Sequence, residues 1–192
     1  MKGKIRFIGL DAHKDFITVA IADEGREEAS SFGEIPNTSA AVSKLARRLG
    51  REGHDLCFVY EAGCFGFGLY RQLTALEHAC VVAAPSLIPR KPGDRVKTDR
   101  RDALKLAKLL RSAGITGCHV PDTEDEAMRD LVRAREDAHQ AGRVSRQVLG
   151  GFLLRHGNAY QGKSRWGVAH MRWILDIKME HTAQQFVLEE YR

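Results

Sequence analysis

The rhythm of hydrophobic and polar positions changes along this chain, and each change predicts a different element. Residues 5–10 (IRFIGL) form a short apolar run that gives way to polar residues 11–15. A second run, residues 16–22, ends near Gly25, and EEASSFGEI supplies a third candidate strand. Three short runs in quick succession predict an antiparallel meander. Asn37 or Thr38 can cap a helix through TSAAVSKLARRLGREG, closed by Gly50 or Gly53. DLCFVYEAG is almost wholly apolar, as a central strand is. A helix, FGLYRQLTALEH, and a strand, ACVVAAP, follow; then comes a loop broken by Pro85, Pro89, Pro92 and Gly93, and a helix from about Asp99. The order β-β-β-α-β-α-β-α predicts a mixed α/β sheet covered by helices, arranged as in ribonuclease H-like proteins.

Beyond Pro121 the strand pattern disappears. Asp122 or Thr123 can cap a long helix with acids in its first turn. Ala127, Leu131, Ala134, Ala138, Ala141, Ser145, Val148 and Phe152 recur at steps of four and three, a heptad seam built mostly of small residues. The seam predicts a helical hairpin or intersubunit coiled coil, or else a long helix packed on its own domain. A second helical stretch is expected from about Val168 to Tyr191, with Trp166 and Trp173 seven apart on one helical face, read as packing anchors in preference to base-stacking platforms. The expected domains are residues 1–120 and 121–192.

Composition narrows the class. The chain has 192 residues, 43% of them hydrophobic and 29% charged, a balance typical of folded soluble proteins. No apolar run approaches the roughly 20 residues that span a bilayer. No signal peptide is legible, so a cytoplasmic protein is expected, with no membrane partner. The four cysteines form no CxxC pair and read as incidental thiols. Net charge is +5, and residues 90–111 hold nine Lys/Arg against three Asp. Arg90, Lys91, Arg95, Lys97, Arg100 and Arg101 are candidate phosphate contacts, set against the alternative of a solvated basic face.

Two acids in KTDRRDALKLAKLL sit where plain solubility does not need them. On a wheel of about 100° per residue, Asp99 and Asp102 share a sector of roughly 120° with Ala103, Leu106, Leu109, Leu110 and Ala113. Arg100, Arg101, Lys105, Lys108 and Arg111 fall outside it. An inward carboxylate costs several kcal/mol unless it is paired or binds metal. The helix dipole returns only about 0.3–1 kcal/mol and accounts for Asp99 better than for Asp102. A structural ion pair is the competing explanation. Asp11 and Glu61 each follow an apolar strand, and in the expected sheet their strands are neighbours. Four convergent carboxylates cannot all stay ionised unaided. Two Mg²⁺ ions, for which Mn²⁺ can substitute, would resolve the repulsion and serve phosphodiester chemistry.

At these residues a family resemblance emerges. GLDAHKD, YEAG, KTDRRDA, MRDLVRARED and FLLRHG, with GKSRWGVAHMRWI and EHTAQQFVLEEY, resemble the DEDD transposases of the insertion-sequence 110 group, especially its 1111-like branch. The resemblance implies a RuvC-like, ribonuclease H-type domain, then a coiled coil, then a C-terminal transposase domain. It implies Asp11, Glu61, Asp99 and Asp102 as the catalytic, metal-holding tetrad. It further implies DNA transposition or site-specific recombination on element ends and target. The implied partners are a structured bridge RNA and further copies of the chain, as a dimer through the coiled coil or a tetramer. The implied location is the bacterial cytoplasm, on the nucleoid when DNA is bound. The family's nucleophilic serine lies in the C-terminal domain, and this sequence ends at Arg192, about where that domain is expected to begin. A non-catalytic nucleic-acid-binding and dimerisation module is therefore the alternative reading for this stretch.

Overall fold

The computed structural model describes residues 4–51, 53–89 and 98–192, which divide into two compact units, Met1–Val120 and Pro121–Arg192. In the first, the three leading apolar runs become β1 (Ile5–Ala12), β2 (Phe16–Asp23) and β3 (Ser30–Pro36). Helix α1 (Ser39–Gly50) follows, with the Thr38 hydroxyl accepting a hydrogen bond from the Ala41 amide at its N-cap. Then come β4 (Asp55–Glu61), α2 (Gly68–Ala75), β5 (Ala79–Ala83) and α3 (Asp99–Arg111). The third strand starts later than its apolar pattern predicts, and α2 is shorter at its C-terminus.

The sheet order is β3-β2-β1-β4-β5, with β1 antiparallel to β2 and parallel to β4. This is the ribonuclease H-like order, a mixed five-stranded sheet with helices on both faces. One face buries Ile8, Leu10, Phe58 and Tyr60 against Val42, Leu45 and Leu49 of α1 and Leu73 of α2. The apolar stripe of α1 repeats at the helical period, so a single face suffices to seal that side.

The other face receives α3 and is built differently. Its floor is small: Gly9 of β1 and Ala20 and Ala22 of β2, beneath Ala103 and Ala107. A Cβ on Gly9 would collide with the Ala103 carbonyl and stand 2.6 Å from the Ala107 amide nitrogen. The helix therefore rides directly on the β1 backbone. Val59 and Ala83 meet Leu106 farther along. Polar ties lock the far end: Arg111 donates to the Asp23 and Glu27 carbonyls, and Lys108 lies 2.8 Å from the Glu28 carboxylate. Ala113, expected on the inward stripe, lies past the helix and is exposed.

The second unit consists of α4 (Thr123–Arg155), α5 (Val168–Asp176) and α6 (Thr182–Tyr191). Asp122 caps α4 through the Asp125 amide at 2.8 Å. Leu149, Phe152 and Leu153 at its C-terminal end pack with Ile174, Ile177 and Leu188. Along the heptad seam Phe152 is buried, while Ala127, Leu131, Ala134, Ala138, Ala141, Ser145 and Val148 are exposed. The helical stretch expected from Val168 to Tyr191 consists of two helices. The Arg192 guanidinium donates to the Ile174, Leu175 and Ile177 carbonyls and so satisfies the C-terminal end of α5. Trp166 precedes α5, so it and Trp173 do not share a helical face.

Candidate metal centre

The chemistry-bearing residues gather where β1, β4 and α3 end or begin. Leu10 pairs with Tyr60, so Asp11 and Glu61 are the next residues on two neighbouring parallel strands. Side chains alternate along a strand. Leu10 and Tyr60 enter the α1 side, which turns Asp11 and Glu61 toward the α3 side. Helix α3 starts there because Thr98 takes an N-cap conformation, its hydroxyl accepting from the Arg101 amide. Asp99 and Asp102 then occupy the first turn, one turn ahead of the alanines that rest on Gly9.

Asp11, Asp99 and Asp102 are half-buried, whereas Glu61 is exposed. His13, just beyond β1, joins the acids: its Nε2 lies 3.2 Å from Asp11 Oδ2 and 3.5 Å from Asp99 Oδ1. Its ring stacks on Phe16 at 4.8 Å, which fixes the imidazole's position. One ligand atom each from Asp11, His13 and Asp99 fall within 4.8 Å of one another. Burial pushes the Asp11 carboxyl above its ordinary value; the hydrogen bond and charge of His13 oppose this, and the charges of Asp102 and Asp99 add to it. Asp102 Oδ2 is buried and has no hydrogen-bond partner among the described residues.

An unpartnered buried carboxylate oxygen is costly, by roughly 1–3 kcal/mol or more for a charged group. The Asp102 charge acts on Asp11, whose carboxylate groups with Asp99 and His13, a set of hard oxygen donors and one nitrogen suited to a divalent cation. The residues present therefore fit a metal ion. The structure brings Asp11, His13 and Asp99 together, and Asp102 lies near enough for its charge to act on Asp11. Glu61 shares their sheet edge but is not among the close group. Of the basic candidates, Arg100 and Arg101 lie exposed on the outer side of the α3 first turn. Arg90, Lys91, Arg95 and Lys97 lie outside the described residues. His13 was missed in the sequence, where its only signal is its place two residues after the strand-ending acid in GLDAHKD.

The family described as Transposase, of the DEDD insertion-sequence 110 type, has a model that matches residues 8–154. The transposase-like y4qE of Sinorhizobium fredii is 45% identical over 185 residues, 96% of this chain and 47% of that protein. The transposase for insertion sequence element IS1533 of Leptospira borgpetersenii is 35% identical over 194 residues, 100% of this chain and 56% of that one. The chain spans about half the length of these curated relatives. Among solved structures, Thermus thermophilus RuvC overlaps 59% of this chain and 100% of its own, at 11% identity and a TM-score of 0.38; the fold assignment rests on the strand order and not on that overlap. The match from residue 8 to 154 takes in the end of β1, the whole of α3 and nearly all of α4, and the chain belongs to the DEDD transposases of the insertion-sequence 110 family.

Proposed function

We propose that this chain carries the metal-dependent phosphodiester chemistry of a DNA transposase, with Asp11, Glu61, Asp99 and Asp102 holding Mg²⁺ ions, two of them in the complete site. The observation that carries the proposal is Asp102 Oδ2, buried without a partner among the described residues, with the charges of Asp102 and Asp99 both acting on Asp11. A structural ion pair, the competing account of Asp102, is not favoured by an Oδ2 that has no donor among the described residues. A bound divalent ion supplies positive charge to the oxygens of a scissile phosphodiester. The chain's own contribution is placement. Gly9 lets α3 approach β1, so the acids of the α3 first turn meet the acid at the end of β1. Phe16 and the two carboxylates hold the His13 imidazole at the same spot. Arg100 and Arg101 on the outer side of that turn, with Arg90, Lys91, Arg95 and Lys97 from the preceding stretch, are proposed to meet DNA phosphates.

The wider reading follows the family. DNA element ends and target are the proposed substrates, a bridge RNA the proposed guide, and the nucleoid-bearing bacterial cytoplasm the proposed location. No helix among the described residues is long and apolar enough to cross a membrane. The exposed seam of α4 is proposed to pair with a second copy of the chain as a coiled coil, because seven of its eight positions have no cover of their own. Residues 1–120 are proposed as the catalytic domain and 121–192 as the helical, oligomerising region.

The test is a Mn²⁺ titration followed by electron paramagnetic resonance, alongside cleavage of branched DNA in Mg²⁺. Asp99→Asn and Asp102→Asn should each weaken Mn²⁺ binding at least tenfold, about 1.4 kcal/mol. Unchanged Mn²⁺ affinity in both variants overturns the metal site. Intact metal binding and DNA binding without cleavage by this chain would instead favour the reading of a nucleic-acid-binding and dimerisation module for it.

A further inference from the structure

The second unit contains a cleft that the metal chemistry does not use. Its volume is about 460 Å³, within the roughly 300–1,000 Å³ range of small-molecule sites. Its wall is aromatic. The Trp173 and His170 rings stack at 5.5 Å, Tyr160 lies 5.2 Å from Trp173, and the Trp166 ring meets His170 edge-on at 4.9 Å. Its rim is cationic, with Arg143, Arg146 and Arg165 exposed along it and no carboxylate among the lining residues. At Gly150 and Gly151 of α4 a Cβ would meet nothing within 4 Å, so the helix surface there is open floor.

Two features mark the wall as held in place. Trp166 has φ of 65°, a left-handed conformation that bulky residues rarely adopt and that is enriched at ligand-handling sites. The conformation is secured because the Trp166 amide donates to His170 Nδ1 at 2.9 Å. His170 is itself buried, and burial together with the charge of Arg165 holds its pKa below the ordinary value. The cleft's positive charge therefore comes from arginines. The Arg146 guanidinium lies 5.7 Å from the centre of the Trp166 ring, so cation and aromatic face adjoin.

Flat aromatic faces select a flat ring, and three guanidinium groups without a carboxylate select an anion. The ligand that offers both, joined at short range, is a nucleotide. We propose that this cleft binds an unpaired nucleotide of a nucleic-acid strand, with its base against the Trp166–Trp173 wall and its phosphates on Arg143, Arg146 and Arg165. A duplex base is already stacked on its neighbours and cannot enter, so the site distinguishes single strands, bulges and flipped bases from paired DNA. The inference stands independently of the acidic site, which lies in the other unit.

The chain has two tryptophans, Trp166 and Trp173, and both line the cleft, so fluorescence excited selectively at tryptophan reports this site alone. The experiment titrates the full chain, in EDTA, with a six-nucleotide oligo-dA, a six-nucleotide oligo-rA and a blunt DNA duplex. Saturable quenching by the single strands is expected, with little from the duplex. The logarithm of affinity should fall with that of salt at a slope of roughly −2, from three phosphate contacts. Arg143→Ala/Arg146→Ala, at exposed positions, should lower affinity at least tenfold, and Arg165→Ala should lower it independently. Stronger quenching by oligo-rA assigns the strand to RNA, stronger quenching by oligo-dA to DNA. Absent quenching, equal quenching by the duplex, or quenching unaffected by either arginine variant overturns the proposal. EDTA removes divalent ions, so failure of the metal site leaves this result unmoved.

Discussion

Gly9→Ala would separate two effects that usually travel together. In a strand, replacing Gly with Ala ordinarily gains roughly 0.5–1 kcal/mol, because the alanine chain loses less freedom on folding. At this position the new Cβ would collide with the Ala103 carbonyl, stand 2.6 Å from the Ala107 amide nitrogen and 3.1 Å from Leu106 Cβ. Two of those three neighbours are backbone, which cannot rotate away. Ordinary contact begins near 3.4–4 Å, so α3 must lift by about 1 Å. Overpacking costs typically 1–3 kcal/mol; with two backbone contacts this short the upper part of that range applies, about 2–3 kcal/mol, which outweighs the propensity gain and leaves a net loss of about 1–2.5 kcal/mol. For a unit of this size that lowers Tm by roughly 5–10 °C. The larger consequence falls one turn away. Lifting α3 draws Asp99 and Asp102 from Asp11, and a misplacement of about 1 Å can cost on the order of 100-fold in rate. Calorimetry reads the stability, and a Mn²⁺ titration on the same sample reads whether the carboxylates have moved apart. A variant with unchanged or raised Tm and unchanged Mn²⁺ affinity would refute the claim that α3 rests on the β1 backbone at Gly9.

Other outcomes follow from single groups. Asp11 has its carboxyl held above 3.8, so its ionisation opposes folding: stability is fullest below that pH and declines as pH rises through the elevated titration. Asp11→Asn should therefore be more stable than the parent in EDTA at pH 7, with the difference shrinking toward pH 4, as urea melts across that range would read; a gain over the parent no larger at pH 7 than at pH 4 contradicts the reasoning. The parent should gain about 2.7 kcal/mol in a divalent ion at 100 times its Kd, and Asp11→Asn should lose most of that gain. Leu188, fully buried among Ile174, Ile177 and Phe152, should cost about 2–5 kcal/mol as Leu188→Ala. Trp166 and Trp173 pack against the same cluster, so tryptophan-monitored denaturation should register it, and an unshifted midpoint would count against that core.

Most of the first unit is legible without coordinates because its signals are local. Apolar runs with polar breaks mark the strands, Asn37 or Thr38 marks the start of α1, and the strand-rich order leaves few sheet arrangements. The wheel that puts Asp99 and Asp102 beside Ala103 and Leu106 is likewise a property of one segment. The sequence also marks the heptad seam of α4, though periodicity alone says nothing about what covers it.

Other features depend on residues far apart in the chain meeting at a few ångströms, and these belong to the tertiary structure. His13 gains meaning only when its imidazole is found between Asp11 and Asp99, the latter more than half the first unit away in sequence. Gly9 reads as an ordinary strand glycine until α3 is seen to lie on it. Trp166 looks like a helical packing anchor, yet it precedes the helix in a left-handed conformation, and the break after Ile177 is capped by Arg192 from the far end of α6. Short-range periodicity reports which face of an element is apolar. It carries no information on how closely two faces approach, and in this protein that approach, over Gly9 and the small floor of the sheet, is what brings the carboxylates together.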